Sequence, residues 1–307
     1  MEKQITDTIL MVRPSNFGFN PETAQNNAFQ NNISSLTTSE ISLKAIEEFD
    51  VMVEGLRNLG VKVIVIEDTV APKKTDAVYP NNWFTTHSSG ELYLYPMYST
   101  NRRLERRADV VKRISEEFHL EVNESILREE DGNRFLEGTG SIILDRPNKL
   151  IYACYSERTN RDLLAKYAMS IDYEPIGFHA EDQGGTPYYH TNVIMALGKN
   201  VAVLCTESIV NEIQRLYVID RLSKTGKDIV EISRDQVLSF AGNMLEVLGK
   251  SEKPILVMST SAFKSLTVSQ KQIIEKHDII FHSPLSTIEK FGGGSARCMM
   301  AEIFSKA

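Results

Sequence analysis

Five polar side chains recur at almost equal intervals along the 307-residue chain: Asn82, Glu137, His190, Asn243 and Cys298, separated by 55, 53, 53 and 55 positions. A thiol, an imidazole and a carboxylate brought to one place would supply a nucleophile, an acid/base and a group that orients it. None is informative alone, since a free Cys is commonly a small buried hydrophobe and an isolated His is usually structural. Cys298 does end the run Phe291-Gly292-Gly293-Gly294-Ser295-Ala296-Arg297. Three glycines let that backbone turn tightly toward a ligand, and Arg297 beside the thiol would favour the thiolate.

Each of the five residues opens or immediately precedes an apolar hairpin. Residues 83–87 lead through Ser88-Ser89-Gly90 into 92–95, and 141–144 through Arg146-Pro147-Asn148 into 150–152. Residues 193–197 and 201–204, then 244–248 and 255–258, make two more pairs, each with glycine in its turn. A Ser or Thr cap and a helically spaced stretch follow, as in Thr159 with Leu163, Leu164 and Tyr167, or Ser208 with Ile213 and Leu216. Another apolar run closes each unit, which therefore reads strand, strand, helix, strand. A period near fifty residues indicates a propeller or related repeat fold. The fifth unit has its first strand at 298–304 and no room for a second. Residues 8–12, followed by Arg13-Pro14-Ser15, resemble the second strands of the other units, and pairing them with the last strand would close the ring.

Residues 1–307 are expected to form a single domain, since no Pro/Gly/Ser linker or charge block divides them and 42% hydrophobic residues suffice for a large core. A net charge of −7 argues against a nucleic-acid partner. No signal core or 18-residue apolar span points to a membrane. Three cysteines do not form a disulfide framework, and a reducing cytoplasm fits them. Metal-ligand spacings, a P-loop and a dinucleotide-binding glycine motif are all lacking, so no cofactor is expected.

Taken together, Leu136-Glu137-Gly138-Thr139-Gly140, Ser156-Glu157-Arg158-Thr159-Asn160, His190-Thr191-Asn192 and the loop 292–298 resemble the guanidine-modifying, or amidinotransferase, superfamily. Met11-Val12-Arg13-Pro14, residues 20–24 and Tyr79-Pro80-Asn81-Asn82-Trp83-Phe84 are similar to its citrulline utilization hydrolase branch, related to arginine deiminases and dimethylarginine hydrolases. The resemblance covers the whole chain and implies a five-bladed β/α propeller, the pentein fold. It further implies a Cys298 nucleophile, His190 as acid/base oriented by Glu137, and Arg103 and Arg158 as ligands of an amino-acid carboxylate. Arg102 could replace Arg103 in a shifted register.

This chain departs from guanidine-modifying relatives by carrying Asn82 and Asn192 where they carry aspartates, and Gly140 where an Asp is usual. Two carboxylates offset a guanidinium through charge-assisted hydrogen bonds worth roughly 1.5–3 kcal/mol each, whereas an amide both donates and accepts and so complements a neutral ureido group. The expected substrate is therefore citrulline, hydrolysed to ornithine, ammonia and carbon dioxide through an S-linked intermediate. The alternatives are an arginine deiminase, a dimethylarginine hydrolase, an amidinotransferase, or a non-catalytic propeller that binds an amino acid or a protein. Exposed propeller edges are compatible with a homodimer, and residues 20–30 are long and polar enough to form either a lid or an ordered structural loop.

Overall fold

The computed structural model describes residues 2–306; the ends of the expected span, residues 1 and 307, lie outside the described residues. Five three-stranded sheets are formed among the described residues. Four of them repeat one order along the chain: Phe84–Thr86, Glu91–Leu94 and Glu121–Asn123; Ile142–Asp145, Leu150–Cys154 and Glu174–Phe178; Met195–Leu197, Val201–Leu204 and Asp228–Glu231; and Leu245–Val247, Ile255–Ser259 and Ile279–Ser283. In every unit the first two strands are an antiparallel hairpin, and the second pairs in parallel with the third across a helical connection.

The central strand of each sheet is covered on both faces and paired on both edges, which explains its continuous apolar run. Leu150–Cys154 is buried at every position. The fifth sheet joins the two ends of the chain. Thr8–Arg13 is its central strand, antiparallel to Ala301–Glu302 with Ile9 opposite Glu302 and Leu10 opposite Ala301, and parallel to Lys62–Glu67. The expected ring closure is therefore present, and the fold is the five-unit pentein propeller.

Helices pack outside the ring on amphipathic faces. The helix Thr38–Asn58 begins with a Thr37/Glu40 capping box and buries Ile41, Ala45, Phe49, Met52, Val53 and Leu56. Two expected caps are corrected. Asn160 rather than Thr159 caps Arg161–Ser170, and Asn211 rather than Ser208 caps Glu212–Lys224, since in each case the Asn side chain reaches the backbone N–H three residues on.

Ile9 is fully buried in the closing sheet, whereas Ile213 on an outer helix is largely exposed. Ile9→Ala should lower the unfolding free energy by about 3 kcal/mol in denaturant titration, against less than about 0.5 kcal/mol for Ile213→Ala. Equal effects of the two substitutions would contradict closure as a stabilising element.

Candidate active site

Because each of the five periodic residues lies just ahead of the first strand of its unit, the ring brings them to one end of its axis. Asn82 ends the 3-10 turn Pro80–Asn82, Glu137 immediately precedes Gly138–Ser141, and His190 immediately precedes Thr191–Val193. Asn243 precedes Leu245–Val247. Cys298 follows the helix Ser286–Gly292, whose chain reverses at Gly293 with φ of 66°. Asn82, His190 and Cys298 line a cavity with Asp76, Arg102, Arg158 and Tyr189. Its volume is about 20 Å3, room for one water.

Glu137 is wholly buried, with one carboxylate oxygen 2.8 Å from His190 Nε2 and the other accepting from the Tyr98 backbone N–H at 2.8 Å. Burial works against this carboxylate, but the Arg158 guanidinium 3.6 Å away, the His190 bond and Arg102 hold it below the usual carboxylate range. Burial pushes the His190 imidazole down, opposed by Glu137 and reinforced by the positive charges of Arg158 and Arg102. The resting pair is thus an anionic carboxylate orienting a neutral imidazole.

At the sulfur, two amides converge: Asn192 Nδ2 lies 3.4 Å and Asn243 Nδ2 3.2 Å from Cys298 Sγ. Arg297 makes no hydrogen bond to the thiol. Its guanidinium donates to the Met300 carbonyl at 2.8 Å and to Glu302 at 2.9 Å.

The Asn82 amide is oriented by Arg102, whose Nη1 donates to Oδ1 at 2.7 Å. A guanidinium only donates, so Nδ2 must face the cavity, where it has no partner. Asn192 gives its NH2 to the sulfur and leaves Oδ1 unpartnered. Asn82 thus brings an unpartnered donor to the cavity wall, while the unpartnered Asn192 oxygen is buried behind the lining, on an amide that contacts the sulfur. Gly140 permits this arrangement: a Cβ there would come within 2.7 Å of His190 Cε1 and collide with Asn82 Nδ2.

Of the two arginines, the structure places Arg102 rather than Arg103 at the cavity. Thr100–Glu105 is a 3-10 turn, in which positions three apart share a face, so Arg102 and Glu105 both point inward and pair at 2.8 Å. Arg103 points out of the cavity toward the Met97 carbonyl and Glu130. Arg106 pairs with Glu130 at 2.7 Å. Arg158 lies in the cavity as expected, 2% exposed, its guanidinium 4.9 Å from the Tyr189 ring centre.

Residues 20–30 fold across the cavity. Asn20 and Thr23 donate to Asp76 at 2.8 and 3.2 Å, Gln30 donates to the Gly292 carbonyl at 2.9 Å, and Arg158 donates to the Thr23 carbonyl at 3.1 Å and to Asn26 Oδ1. Asp76 is the cavity residue that spacing does not reveal. It is buried, Arg102 lies 3.9 Å from one of its oxygens, and the other oxygen has no partner. It belongs to no motif and comes from a loop outside the periodic positions. Among the described residues no group of three His, Cys, Asp or Glu side chains could hold a metal ion.

A family model described as N,N dimethylarginine dimethylhydrolase, eukaryotic, matches residues 13–305. The chain belongs to this family. As an N,N dimethylarginine dimethylhydrolase family member it is a C–N hydrolase with cysteine-based chemistry, within the pentein superfamily. No curated protein matches it. Among solved structures, the N-terminal domain of ArgZ, an arginine dihydrolase from the ornithine–ammonia cycle in Cyanobacteria, aligns with a TM-score of 0.73 at 18% identity, covering 97% of this chain and 98% of that one. Against the full ArgZ chain the TM-score is 0.74, again at 18% identity and over 97% of this chain, but only 40% of ArgZ is covered. The family enzyme from Pseudomonas aeruginosa, complexed with citrulline, aligns with a TM-score of 0.64 at 14% identity over 99% of this chain and 100% of that one. At such identities these likenesses establish the fold.

Gly140→Ala should lower kcat/KM on the preferred substrate about a hundredfold by displacing Asn82 and His190, with little change in melting temperature; unchanged turnover would refute the close-packing account. The depressed His190 value also has a sign that can be tested. The folded imidazole resists a proton that the unfolded chain accepts, so His190 should keep the nitrogen NMR signature of a neutral ring at about pH 5.5, where an exposed histidine is mostly protonated.

Proposed function

We propose that the chain hydrolyses citrulline to ornithine, ammonia and carbon dioxide, with Cys298 as nucleophile, His190 as acid/base and Glu137 orienting it. The observation that carries this reading is that neutral amides, not carboxylates, stand at both positions: Asn82 lines the cavity with an unpartnered NH2, and Asn192 touches the sulfur through its NH2 and has an unpartnered C=O. A ureido oxygen accepts from the first and a ureido N–H donates to the second. A guanidinium offers no acceptor for Asn82 and finds no carboxylate at either position.

The rest of the cavity suits an α-amino acid. Arg158 and Arg102 supply positive charge for the carboxylate, and the free oxygen of Asp76 takes the ammonium. With no room for more than one water, residues 20–30 act as a lid that must withdraw, since Asn26 and the Thr23 carbonyl occupy the Arg158 donors that the carboxylate would take. Relatives support this reading: the Pseudomonas enzyme was crystallised with citrulline, and a variant of the ArgZ domain was crystallised with a covalently bound reaction intermediate. A catalytic thiol also suits a reducing cytoplasm.

In the proposed reaction the proton lost by Cys298 passes to neutral His190 as sulfur bonds to the ureido carbon. Charges on Arg158 and Arg102 disfavour protonated His190, so a substrate carboxylate that neutralises them makes this transfer easier. Protonated His190, held by Glu137, then gives the proton to the departing δ-nitrogen, leaving a carbamoyl thioester and ornithine. His190 next takes a proton from water, whose oxygen attacks the thioester carbon. Thiol is regenerated, and carbamic acid decomposes to ammonia and carbon dioxide.

A panel of citrulline, arginine and asymmetric dimethylarginine, with ornithine, ammonia and citrulline measured separately, tests the assignment. Citrulline should have the highest kcat/KM; faster turnover of arginine or its dimethyl derivative would overturn it. The double variant Asn82→Asp with Asn192→Asp should lose at least about a hundredfold on citrulline while gaining on arginine, as two charge-assisted bonds are exchanged for amide contacts.

A further inference from the structure

Asn243 is the fifth of the periodic residues and has no part in the chemistry described so far. It is 2% exposed and uses both ends of its amide. Oδ1 accepts from the backbone N–H of Arg297 at 3.0 Å and, at 3.4 Å, from that of Cys298. Those partners can only donate, so the NH2 must face the other way. There Nδ2 lies 3.0 Å from the Asn192 carbonyl and 3.2 Å from Cys298 Sγ. The Asn243 backbone carbonyl also accepts from Arg297 N–H, at 3.4 Å.

We propose that Asn243 is a catalytic residue of this site, donating a hydrogen bond to the Cys298 thiolate while tying the nucleophile's loop to the backbone of the His190-Thr191-Asn192 segment. The proposal deepens the assignment of Cys298 as nucleophile and adds a residue to it. A sulfur that bears charge gains from each N–H aimed at it, and charge-assisted bonds are about twice as strong as neutral ones. The adjacent arginine is engaged by Glu302, so the two amides are the donors at the sulfur. The same amide fixes where the sulfur stands, because Oδ1 is bonded to the backbone N–H of Cys298 itself. The two amide N–H groups are thus direct hydrogen-bond donors to the sulfur, in addition to the proton transfer to His190.

Asn243→Asp separates this role from a purely structural one. A carboxylate keeps an acceptor for the two backbone N–H groups and so preserves the loop tie, but it removes the donor from the sulfur and places negative charge there. The rate of Cys298 alkylation by iodoacetamide, measured as a function of pH and followed by peptide mass spectrometry, needs no knowledge of the substrate. The midpoint of that profile should move upward by about one pH unit or more relative to the parent chain, with a fall of about tenfold or more in rate at neutral pH. Superimposable profiles for the two proteins would overturn the proposal. Should Asn243→Asp not fold, Asn243→Ala decides: it must shift the profile in the same direction, and an unmoved midpoint refutes the role. A shifted profile in a protein that consumes no citrulline would sink the substrate assignment and leave this inference standing.

Discussion

The antiparallel pairing of Thr8–Arg13 with Ala301–Glu302 is the constraint on which the rest depends. Four of the five units hold their own hairpin, so local chain connectivity positions Asn82, Glu137, His190 and Asn243. Cys298 has no hairpin of its own. It precedes a two-residue strand whose hairpin partner comes from the opposite end of the chain, and that long-range register, together with the Asn243 tie, brings the sulfur up to the two amides. Loop-closure entropy over nearly the whole sequence must be overcome before Cys298, the proposed nucleophile, is placed, and the buried apolar residues of the closing sheet provide the free energy.

A second constraint is electrical. Arg102, Arg158, Asp76, Glu105 and Glu137 are all buried within one region. Isolated buried ions would cost several kcal/mol each, and mutual compensation makes such a group tolerable although one Asp76 oxygen has no partner. Arg102 illustrates the economy: one guanidinium pairs with Glu105, holds the Tyr79 carbonyl and orients Asn82. The site's polarity is thus not decoration on an apolar ring. Each cation fixes the direction of a neutral amide or an anion that faces the cavity.

The ring and its five convergent positions are legible in the sequence because every unit repeats the same approach to its first strand, so spacing carries spatial meaning. Legibility ends where contacts arise between non-repeating loops. Asp76 and residues 20–30 reach the cavity through tertiary packing that leaves no periodic trace. The Arg102/Arg103 register depends on a 3-10 turn, whose inward face differs from that of an α-helix by one residue. Arg297 adjoins the thiol in sequence yet points elsewhere, since Glu302, five residues on, offers it a better partner at the ring's axis. Asn243 shows the reverse: periodicity places it at the site, but its role depends on an amide orientation that only the backbone donors around it determine.

The strap formed by residues 20–30 has a further consequence for how affinity should be understood. Arg158 is already engaged by Asn26 and the Thr23 carbonyl, and one oxygen of Asp76 by Asn20 and Thr23, so part of the site's bonding capacity is taken by its own chain. A ligand exchanges one set of bonds for another instead of filling a vacancy. If the strap withdraws as proposed, the measured dissociation constant is the intrinsic one divided by the fraction of molecules with it withdrawn. Changes in residues that never touch a ligand, such as Glu157, which accepts from Asn26 at 2.9 Å, therefore set binding strength by changing that fraction.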